Sequence, residues 1–262
     1  MPKRSWRRSS LQTILSEQLR EDELFGVRYA VTDLAEAVPY IADRLASLAG
    51  GYICFSNVHT LVTAIENTRY RKALNGSAVT FADGAPVASR LRRKGNATAR
   101  RVAGPDFTEK LIEKTSDGRT RHFFYGSTEA VLDRLTGTLK KRYPDICIAG
   151  CYAPPFREQT AEEDEKLSEM IEEAGADIIW VGLGAPKQEL FMATHKGRFR
   201  GVMIGVGAAF DFISGNKKRA PKLMQRLHLE WLYRMIREPG RLSGRYIITN
   251  TKYIRYCLTG RG

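Results

Sequence analysis

The chain has 262 residues, of which 43% are hydrophobic and 10% aromatic, a composition typical of a folded globular protein rather than a disordered one. Its formal net charge of +13 indicates a polyanionic partner, because a charge of this size governs association more than folding. No apolar run approaches the roughly 20 residues of a membrane-spanning helix. Acids follow the basic N-terminus where a signal peptide would be apolar, so we expect a cytoplasmic chain.

The positive charge lies at the two ends of the chain. Residues 217–262 contain twelve Lys or Arg and two acids, and residues 1–16 contain four cations and no acid. The sequence between them is nearly neutral. This distribution predicts a basic N-terminal tail (1–20), a globular α/β domain (21–216) and a basic C-terminal appendage (217–262). Such ends would attract either an anionic membrane surface or a nucleic acid.

Four cysteines stand at positions 54, 147, 151 and 257. Cytoplasmic thiols normally remain reduced, and no second Cys or His pair completes a zinc-site spacing around Cys147 and Cys151. No Asp-x-Asp motif follows an apolar run. The sequence therefore predicts neither a metal site nor a cofactor.

Short apolar runs alternate with amphipathic stretches of helical length through residues 17–216. The predicted strands, in chain order, are 27–31 at an edge, then 51–56, 78–82, 122–126, 146–151, 178–182 and 201–206. The predicted helices between them are 32–49, 60–74, 106–114, 128–143, 160–174 and 186–195.

Several of these helices begin with N-cap signals, namely Thr32, Ser127, and Thr160 with Glu163 three residues later. Strands such as 178–182 are apolar without alternation, which indicates that both faces of the sheet are covered. The pattern predicts an α/β fold, a Rossmann-like parallel sheet with helices on both faces, plus a basic C-terminal helical appendage.

Unusual polar residues follow the predicted strands, where sheets of this class bind ligands. Asp83 follows strand 78–82 and is either a general base or a turn or cap aspartate. Asn57 either contacts a sugar hydroxyl or caps the next helix. Arg101 either holds a diphosphate with its planar donors or pairs with a helix acid such as Asp106.

A glycine-rich turn follows strand 178–182. Gly184 permits a tight turn and Pro186 suits the first position of a helix. The free N–H groups there favour a phosphate, with Lys187 and Gln188 as further donors, although an ordinary strand-to-helix turn is the alternative. The turn lacks the Gly-x-Gly-x-x-Gly fingerprint, which disfavours a dinucleotide-dependent oxidoreductase.

The C-terminal appendage predicts an amphipathic helix from about residue 220 to 237, ended by Pro239-Gly240. Apolar residues recur along one side at positions 224, 227, 231 and 235. Arginines recur on another side, at positions 226, 234, 237 and 241. A second apolar and basic stretch spans 245–258. Either these segments lie in a membrane interface, or they form a helical hairpin whose apolar face packs on the domain.

Several motifs follow one another in a distinctive order: Ala82-Asp83-Gly84, Gly104-Pro105-Asp106, GAPKQE at 184–189, GVGAAFDF at 205–212, KRAP at 218–221 and LEWLYR at 229–234. Glu238-Pro239 and Arg241 complete the series. With these motifs, the chain resembles the WecG/TagA/CpsF family of bacterial glycosyltransferases over about residues 25–246.

The resemblance implies an inverting, metal-independent transfer from a UDP-sugar to a sugar on a polyprenyl diphosphate, in the synthesis of cell-surface polysaccharide. Relatives transfer N-acetylmannosamine, its uronic acid or glucose. The resemblance also implies that Asp83 is the general base and that Asn57, Arg101 and Gln188 lie in the active site. Phe55 stands where some relatives carry Thr, so this chain lacks that hydroxyl.

An inverting transfer without a metal needs positive charge and N–H groups to stabilise the leaving UDP. Arg101 and the turn at Gly184 would supply part of this, and we expect Arg219, Arg226 or Arg234 to complete the site from the appendage. The family's appendage closes over the site and faces the membrane, which predicts a protein peripheral on the inner face of the cytoplasmic membrane.

The expected partners are therefore a UDP-sugar donor, a polyprenyl-diphosphate-linked acceptor sugar and an anionic membrane surface, without nucleic acid. The sequence is also compatible with a homo-oligomer. A basic α/β protein that binds nucleic acid is the alternative from another class, and it is supported by a pI near 9.7 and the Arg-rich appendage.

Overall fold

A computed structural model describes residues 18–227 and 229–260, apart from the side chains of Arg226, Arg241, Leu242 and Arg245. The chain folds around a six-stranded sheet whose neighbouring strands are all parallel. Its strands are β3 (Tyr52–Ser56), β4 (Val79–Ala82), β5 (Arg121–Gly126), β6 (Cys147–Tyr152), β7 (Ile178–Gly182) and β8 (Val202–Gly205), in the order β4-β3-β8-β7-β5-β6. The strands β1 (Glu21–Leu24) and β2 (Val27–Ala30) form a separate antiparallel hairpin.

Helices connect the strands and flank the sheet. In chain order they are α1 (Leu34–Ala42), α2 (Val58–Glu66), α3 (Thr68–Asn75), α4 (Ala85–Arg93), α5 (Gly104–Thr115), α6 (Glu129–Arg142), α7 (Ala161–Glu173), α8 (Lys187–Thr194) and α9 (Ala209–Ile213). The appendage contains α10 (Lys222–Arg226), α11 (Glu230–Arg237) and α12 (Pro239–Thr259).

Strand β3 shows how the sheet is covered on both faces. Tyr52 and Cys54 belong to one buried apolar cluster, whereas Ile53 and Phe55 belong to another. Successive side chains of a strand point to opposite faces, so each face of the sheet packs against its own layer. The predicted Rossmann-like parallel fold with helices on both faces is therefore confirmed.

Several predicted boundaries were wrong. The predicted helix 60–74 is two helices, because the side chain of Asn67 accepts from the N–H of Tyr70 at 3.0 Å and caps a new start at α3. The predicted helix 32–49 ends at Ala42, where a bond from the N–H of Arg44 to the carbonyl of Ile41 tightens the turn. The sequence reading also missed β1, α4 and α9.

Two of the three predicted caps lie one residue too early. Asp33, not Thr32, caps α1, and Thr128, not Ser127, caps α6. Ser127 has a left-handed φ of 63°, whereas an N-cap residue needs extended backbone. Thr160 caps α7 in a reciprocal capping box with Glu163, as predicted.

The appendage departs from its prediction in the same way. The expected helix 220–237 is divided into α10 and α11, because the N–H of Leu229 bonds to the carbonyl of Met224 at 2.8 Å and closes the first helix. Pro239 does not only end α11. It also occupies the first turn of α12, where a missing N–H has no consequence for the helix.

One face of α12 packs on the domain, against α2. Tyr253 is 8% exposed, and its hydroxyl donates to the carbonyl of Pro86 at 3.1 Å. Lys252 and Tyr256 both bond to the carboxylate of Glu66. Other apolar side chains of α12 remain exposed, among them Ile247 at 64%. The packed and the exposed readings of this stretch each apply to a different face.

Within residues 18–227 and 229–260, no helix is both long enough and apolar enough to span a bilayer.

Candidate active site

The tips of β3 and β4 bring Asn57 and Asp83 together. Ser56 and Ala82 are partners in the parallel register, and the N–H of Asp83 continues the pairing to the carbonyl of Ser56 at 3.0 Å. Gly84 follows, and a Cβ added to it would lie 3.4 Å from the Cα of Asn57. Glycine thus permits the close approach of the two strand-to-helix turns.

Asn57 uses one end of its side chain to begin α2. Its Oδ1 accepts from the N–H groups of His59 at 2.9 Å and Thr60 at 3.3 Å, in a capping box with Thr60. Its Nδ2 has no hydrogen-bond partner among the described residues. The cap reading of Asn57 is therefore confirmed, and the amide N–H groups are the part of the side chain left for a ligand.

Asp83 is a half-buried carboxylate beside an arginine. The Nε of Arg101 donates to the carbonyl of Asp83 at 2.6 Å, and its Nη2 lies 3.5 Å from Oδ1. Burial raises the pKa of Asp83, Arg101 opposes that rise, and the negative charge of Glu230 adds to it. The net result is a carboxyl group whose pKa lies above its ordinary value, as a general base needs.

Glu230 of α11 joins the appendage to this site. It is 8% exposed, and its Oε2 accepts from Nη2 of Arg101 at 3.0 Å. Its Oε1 accepts from Nε of Arg219 at 3.3 Å. Arg219 in turn holds Asp106 of α5 through two bonds, of 2.6 and 2.8 Å. The five groups form a continuous chain of alternating charge from Asp83 to Asp106.

The three predicted appendage arginines differ in their placement. Arg219 joins the network directly. Arg234 lies close enough for its charge to lower the pKa of Asp83, and it has no ion pair within the described residues. The side chain of Arg226 lies outside the described part of the chain.

Gln188 links two glycine turns at the carboxyl edge of the sheet. It is 5% exposed, and its Oε1 accepts from the N–H of Gly184 at 3.2 Å and of Gly207 at 3.0 Å. Its Nε2 donates to Oε1 of Glu189 at 2.7 Å. The amide oxygen and one amide N–H are thus engaged within the protein. Gly184 itself has a φ of +77°, a conformation that favours glycine.

Glu189 is a buried carboxyl group behind this clamp. It is fully buried, and its Oε2 has no hydrogen-bond partner among the described residues. Burial raises its pKa. Tyr70 lies nearby, and its own pKa is raised by burial and then by the charge of Glu189.

Sequence reasoning missed Glu230 and Glu189 as members of the site, and it considered Asp106 only as a structural partner of Arg101. Arg219 holds Asp106 instead. A usable signal existed for Glu230, since it is one of two acids in the basic appendage. Nothing in the sequence distinguishes Glu189 from an exposed helix glutamate.

Within the described residues, no group of three or more His, Cys, Asp or Glu side chains could hold a metal ion. The two most buried histidines have packing partners instead. His122 accepts from Nε1 of Trp180 at 3.1 Å, and His195 bonds to Asp164.

The site therefore combines a carboxylate of raised pKa, guanidinium groups from the domain and from the appendage, and a glycine turn whose N–H groups at Gly184 and Gly207 are held by Gln188. A carboxylate can accept a proton from a hydroxyl. Guanidinium groups can stabilise a diphosphate. A carboxylate together with guanidinium groups suits the transfer of a group from a donor with an anionic leaving group to an acceptor hydroxyl.

Comparison with known proteins agrees with this chemistry. The model of the glycosyl transferase WecG/TagA/CpsF family matches residues 23–261. The chain is also 31% identical over 210 residues to the N-acetylglucosaminyldiphosphoundecaprenol N-acetyl-beta-D-mannosaminyltransferase of Bacillus spizizenii, with 80% of this chain and 79% of that protein covered. The protein is therefore a glycosyltransferase and belongs to the WecG/TagA/CpsF family.

Proposed function

We propose that the protein transfers a sugar, with inversion, from a UDP-sugar to a sugar carried on a polyprenyl diphosphate, in cell-surface polysaccharide synthesis. The observation that carries this proposal is the carboxylate of Asp83 beside Arg101 at the tip of β4, where Glu230 of the appendage binds the same arginine. The name of the Bacillus spizizenii relative describes an acceptor of this kind and an N-acetylmannosaminyl group as the one transferred.

The stereochemistry in that name supports the proposal of inversion. The relative is a beta-D-mannosaminyltransferase, and a UDP-sugar with an α linkage gives a β product through one displacement. A single displacement needs a base and no covalent sugar–enzyme intermediate. One carboxylate near the reacting hydroxyl is then sufficient.

Asp83 is the base in this mechanism. A carboxylate oxygen of Asp83 takes the proton of the acceptor hydroxyl. At the same time the oxygen of that hydroxyl forms a bond to the anomeric carbon. The bond from the anomeric carbon to the UDP oxygen breaks, and its electron pair leaves with the diphosphate. Because its pKa is raised, the carboxylate of Asp83 is a stronger base than an ordinary carboxylate, which favours proton transfer near neutral pH.

Arginines meet the charge of the leaving diphosphate without a metal. Arg101 and Arg219 share the carboxylate of Glu230, so an incoming diphosphate would compete with Glu230 for the same guanidinium groups. Arg234 adds a cation that is not paired within the described residues. Arg226 remains a proposed contributor from the same segment.

Gln188 and Gly184 serve the donor indirectly. The side chain of Gln188 fixes the turns at Gly184 and Gly207, which lie at the edge of the sheet where ligands of this fold class bind. We therefore assign Gln188 a positioning role behind the donor. Asn57 offers its Nδ2 to a sugar hydroxyl.

The appendage also supports attachment to an anionic membrane. Among the described side chains of α10, α11, α12 and their linkers, eight large apolar ones are at least 40% exposed: Leu223, Leu227, Trp231, Ile236, Ile247, Ile248, Ile254 and Leu258. Patches of this kind mark interaction surfaces. Each cation near an anionic leaflet contributes about 1 kcal/mol, so a peripheral, salt-sensitive association at the inner face of the cytoplasmic membrane is expected.

The deciding experiment incubates the full chain with a panel of UDP-sugars and a short-chain polyprenyl diphosphate that carries N-acetylglucosamine, and measures released UDP. Turnover with one donor and dependence on the lipid acceptor are expected. Asp83→Asn should lower turnover by about 10²–10⁴-fold and retain UDP binding. Asp117→Asn, in the turn before β5, is the matched control. A near-normal rate in Asp83→Asn would exclude Asp83 as the base.

A further inference from the structure

A groove separates α4 from the C-terminal helix α12. Its volume is about 310 Å³, and its walls include Arg90 and Arg93 from one helix and Ile254 and Leu258 from the other. Pro86 and Tyr253 also line it, and the tyrosine hydroxyl donates to the proline carbonyl at 3.1 Å. This hydrogen bond joins the two helices that line the groove.

One wall of the groove is cationic. Arg90 and Arg93 are three residues apart, so their side chains share a face of α4. Neither has an ion pair among the described residues, unlike Arg101 and Arg219 in the site above. Both guanidinium groups are near enough to the hydroxyl of Tyr253 to act on its ionisation. Two uncompensated cations in one groove favour an anion with several acceptor oxygens.

The opposite wall is apolar and open to solvent. Ile254 is 58% exposed and Leu258 is 82% exposed. The side chains of α12 that pack on the buried cluster of the domain are Tyr253, Tyr256 and Cys257. Large apolar side chains left exposed beside a groove indicate an apolar ligand.

We propose that this groove binds one anionic phospholipid, with its phosphate on Arg90 and Arg93 and its acyl chain along Ile254 and Leu258. A free phosphate would leave the apolar wall uncovered, and a nucleic acid would gain nothing from two exposed aliphatic side chains. Neither Asp83 nor Arg101 lines the groove. The proposal therefore stands independently of the reaction proposed above.

The test uses the full chain and dihexanoyl-phosphatidylglycerol below its critical micelle concentration, with binding measured by isothermal titration calorimetry. One saturable site is expected. Arg90→Gln with Arg93→Gln should weaken binding at least about tenfold, because two charge-assisted contacts are lost. Lys140→Gln with Lys141→Gln, at the end of α6, removes the same charge elsewhere and should bind as the wild type does.

A second set of variants tests the apolar wall. Ile254→Ser with Leu258→Ser should weaken binding, whereas Phe156→Ser, which removes another exposed apolar side chain, should not. Glycerol phosphate, the head group without chains, should bind much more weakly than the lipid. All of the substituted apolar side chains are exposed, and an unchanged thermal midpoint verifies that each variant folds.

Several results would overturn the proposal. They are no saturable binding to the wild-type chain, equal affinity in the Arg90 and Arg93 double variant, or the same loss in the Lys140 and Lys141 control, which would indicate bulk charge alone. Equally tight binding of glycerol phosphate would make the groove an anion site rather than a lipid site.

Discussion

Arg101 and Glu230 are 129 positions apart in the chain, yet Nη2 of the arginine donates to Oε2 of the glutamate at 3.0 Å. Arg101 follows the sheet domain's strand tips, and Glu230 begins α11 of the appendage. The appendage is therefore held over Asp83 by an ion pair that also sets the charge around the carboxylate. A substitution of Glu230 should therefore change the pKa of Asp83.

Replacing Glu230 with glutamine should lower the pKa of Asp83. Glu230 raises that pKa, and Arg101 lowers it, so removing the glutamate charge takes away one effect and strengthens the other. A base must be unprotonated to act, and its rate falls as the pH drops through its pKa. The acid limb of kcat/KM against pH should therefore move to lower pH in Glu230→Gln.

Glu238→Gln is the control for this shift. Glu238 is the other acid of the appendage, and it pairs with Lys217 at 3.0 Å, away from Asp83. An acid limb that stays in place in Glu230→Gln, or that moves equally in Glu238→Gln, would contradict the assignment.

Arg219 and Asp106 should show measurable coupling in a double-mutant cycle. The pair makes two bonds, and its side chains are 18% and 36% exposed, so solvent screens it only in part. We expect about 1 kcal/mol of coupling in the free energy of unfolding from Arg219→Gln and Asp106→Asn. The cycle is measured by denaturant unfolding.

The comparison pair for that cycle is Arg142 and Glu109, which also approach to 2.6 Å but are 44% and 45% exposed. Their coupling should be about 0.5 kcal/mol or less. Equal values for the two pairs would mean that the contact with Asp106 does not help hold the appendage in place.

Gln188→Ala should reduce both stability and donor binding. The change leaves the N–H groups of Gly184 and Gly207 without their acceptor, at about 1–3 kcal/mol for an unsatisfied buried group. Loosened turns should raise KM for the UDP-sugar more than they lower kcat. Lys187→Ala, at the neighbouring exposed position, should leave the free energy of unfolding unchanged. A normal KM in Gln188→Ala would remove its positioning role.

Glu189 should make stability depend on pH in an identifiable window. Burial raises its folded-state pKa above the ordinary value of 4.5, so the folded state binds more protons than the unfolded state above that pH. Stability therefore falls as the pH rises from about 4.5 toward the folded-state pKa, by at most about 1.4 kcal/mol per pH unit. Below this window Glu189 is protonated in both the folded and the unfolded state, so it adds no pH dependence to stability.

Glu189→Gln keeps the acceptor that Nε2 of Gln188 uses and removes the titration. The free energy of unfolding of the wild type, measured relative to this variant by denaturant titration across pH, should decrease as the pH rises above about 4.5. A difference that is constant with pH, or that grows in favour of the wild type, would show that Glu189 is not a buried group of raised pKa.

The sheet was predictable because its strands are apolar runs that need no alternation. The predicted strand 178–182 coincides with β7. The positions of Asp83 and Asn57 followed from the rule that parallel strands present their carboxyl ends at one edge. Their roles in the reaction, like those of Arg101 and Gln188, stay predictions.

What could not be predicted depends on tertiary contacts. Local signals do not reveal that Glu230 would reach Arg101. The division of one amphipathic stretch into α2 and α3 is different, because the Asn67 cap is a local signal that the sequence reading overlooked. The prediction of the appendage helices was also incomplete. Pro239 can end one helix or begin the next, and the sequence does not show which of these the chain does. Glu189 is buried by α8 packing on the sheet, which its sequence pattern does not record.

The contacts of Glu66 have one more consequence. Because Lys252 and Tyr256 both bind this carboxylate, they fix the rotation of α12 about its own long axis. A helix free to roll would present its isoleucines in any direction, whereas this one presents Ile247 and Ile254 at a set angle to the sheet. Any surface that covers those side chains must therefore bind the enzyme in one orientation.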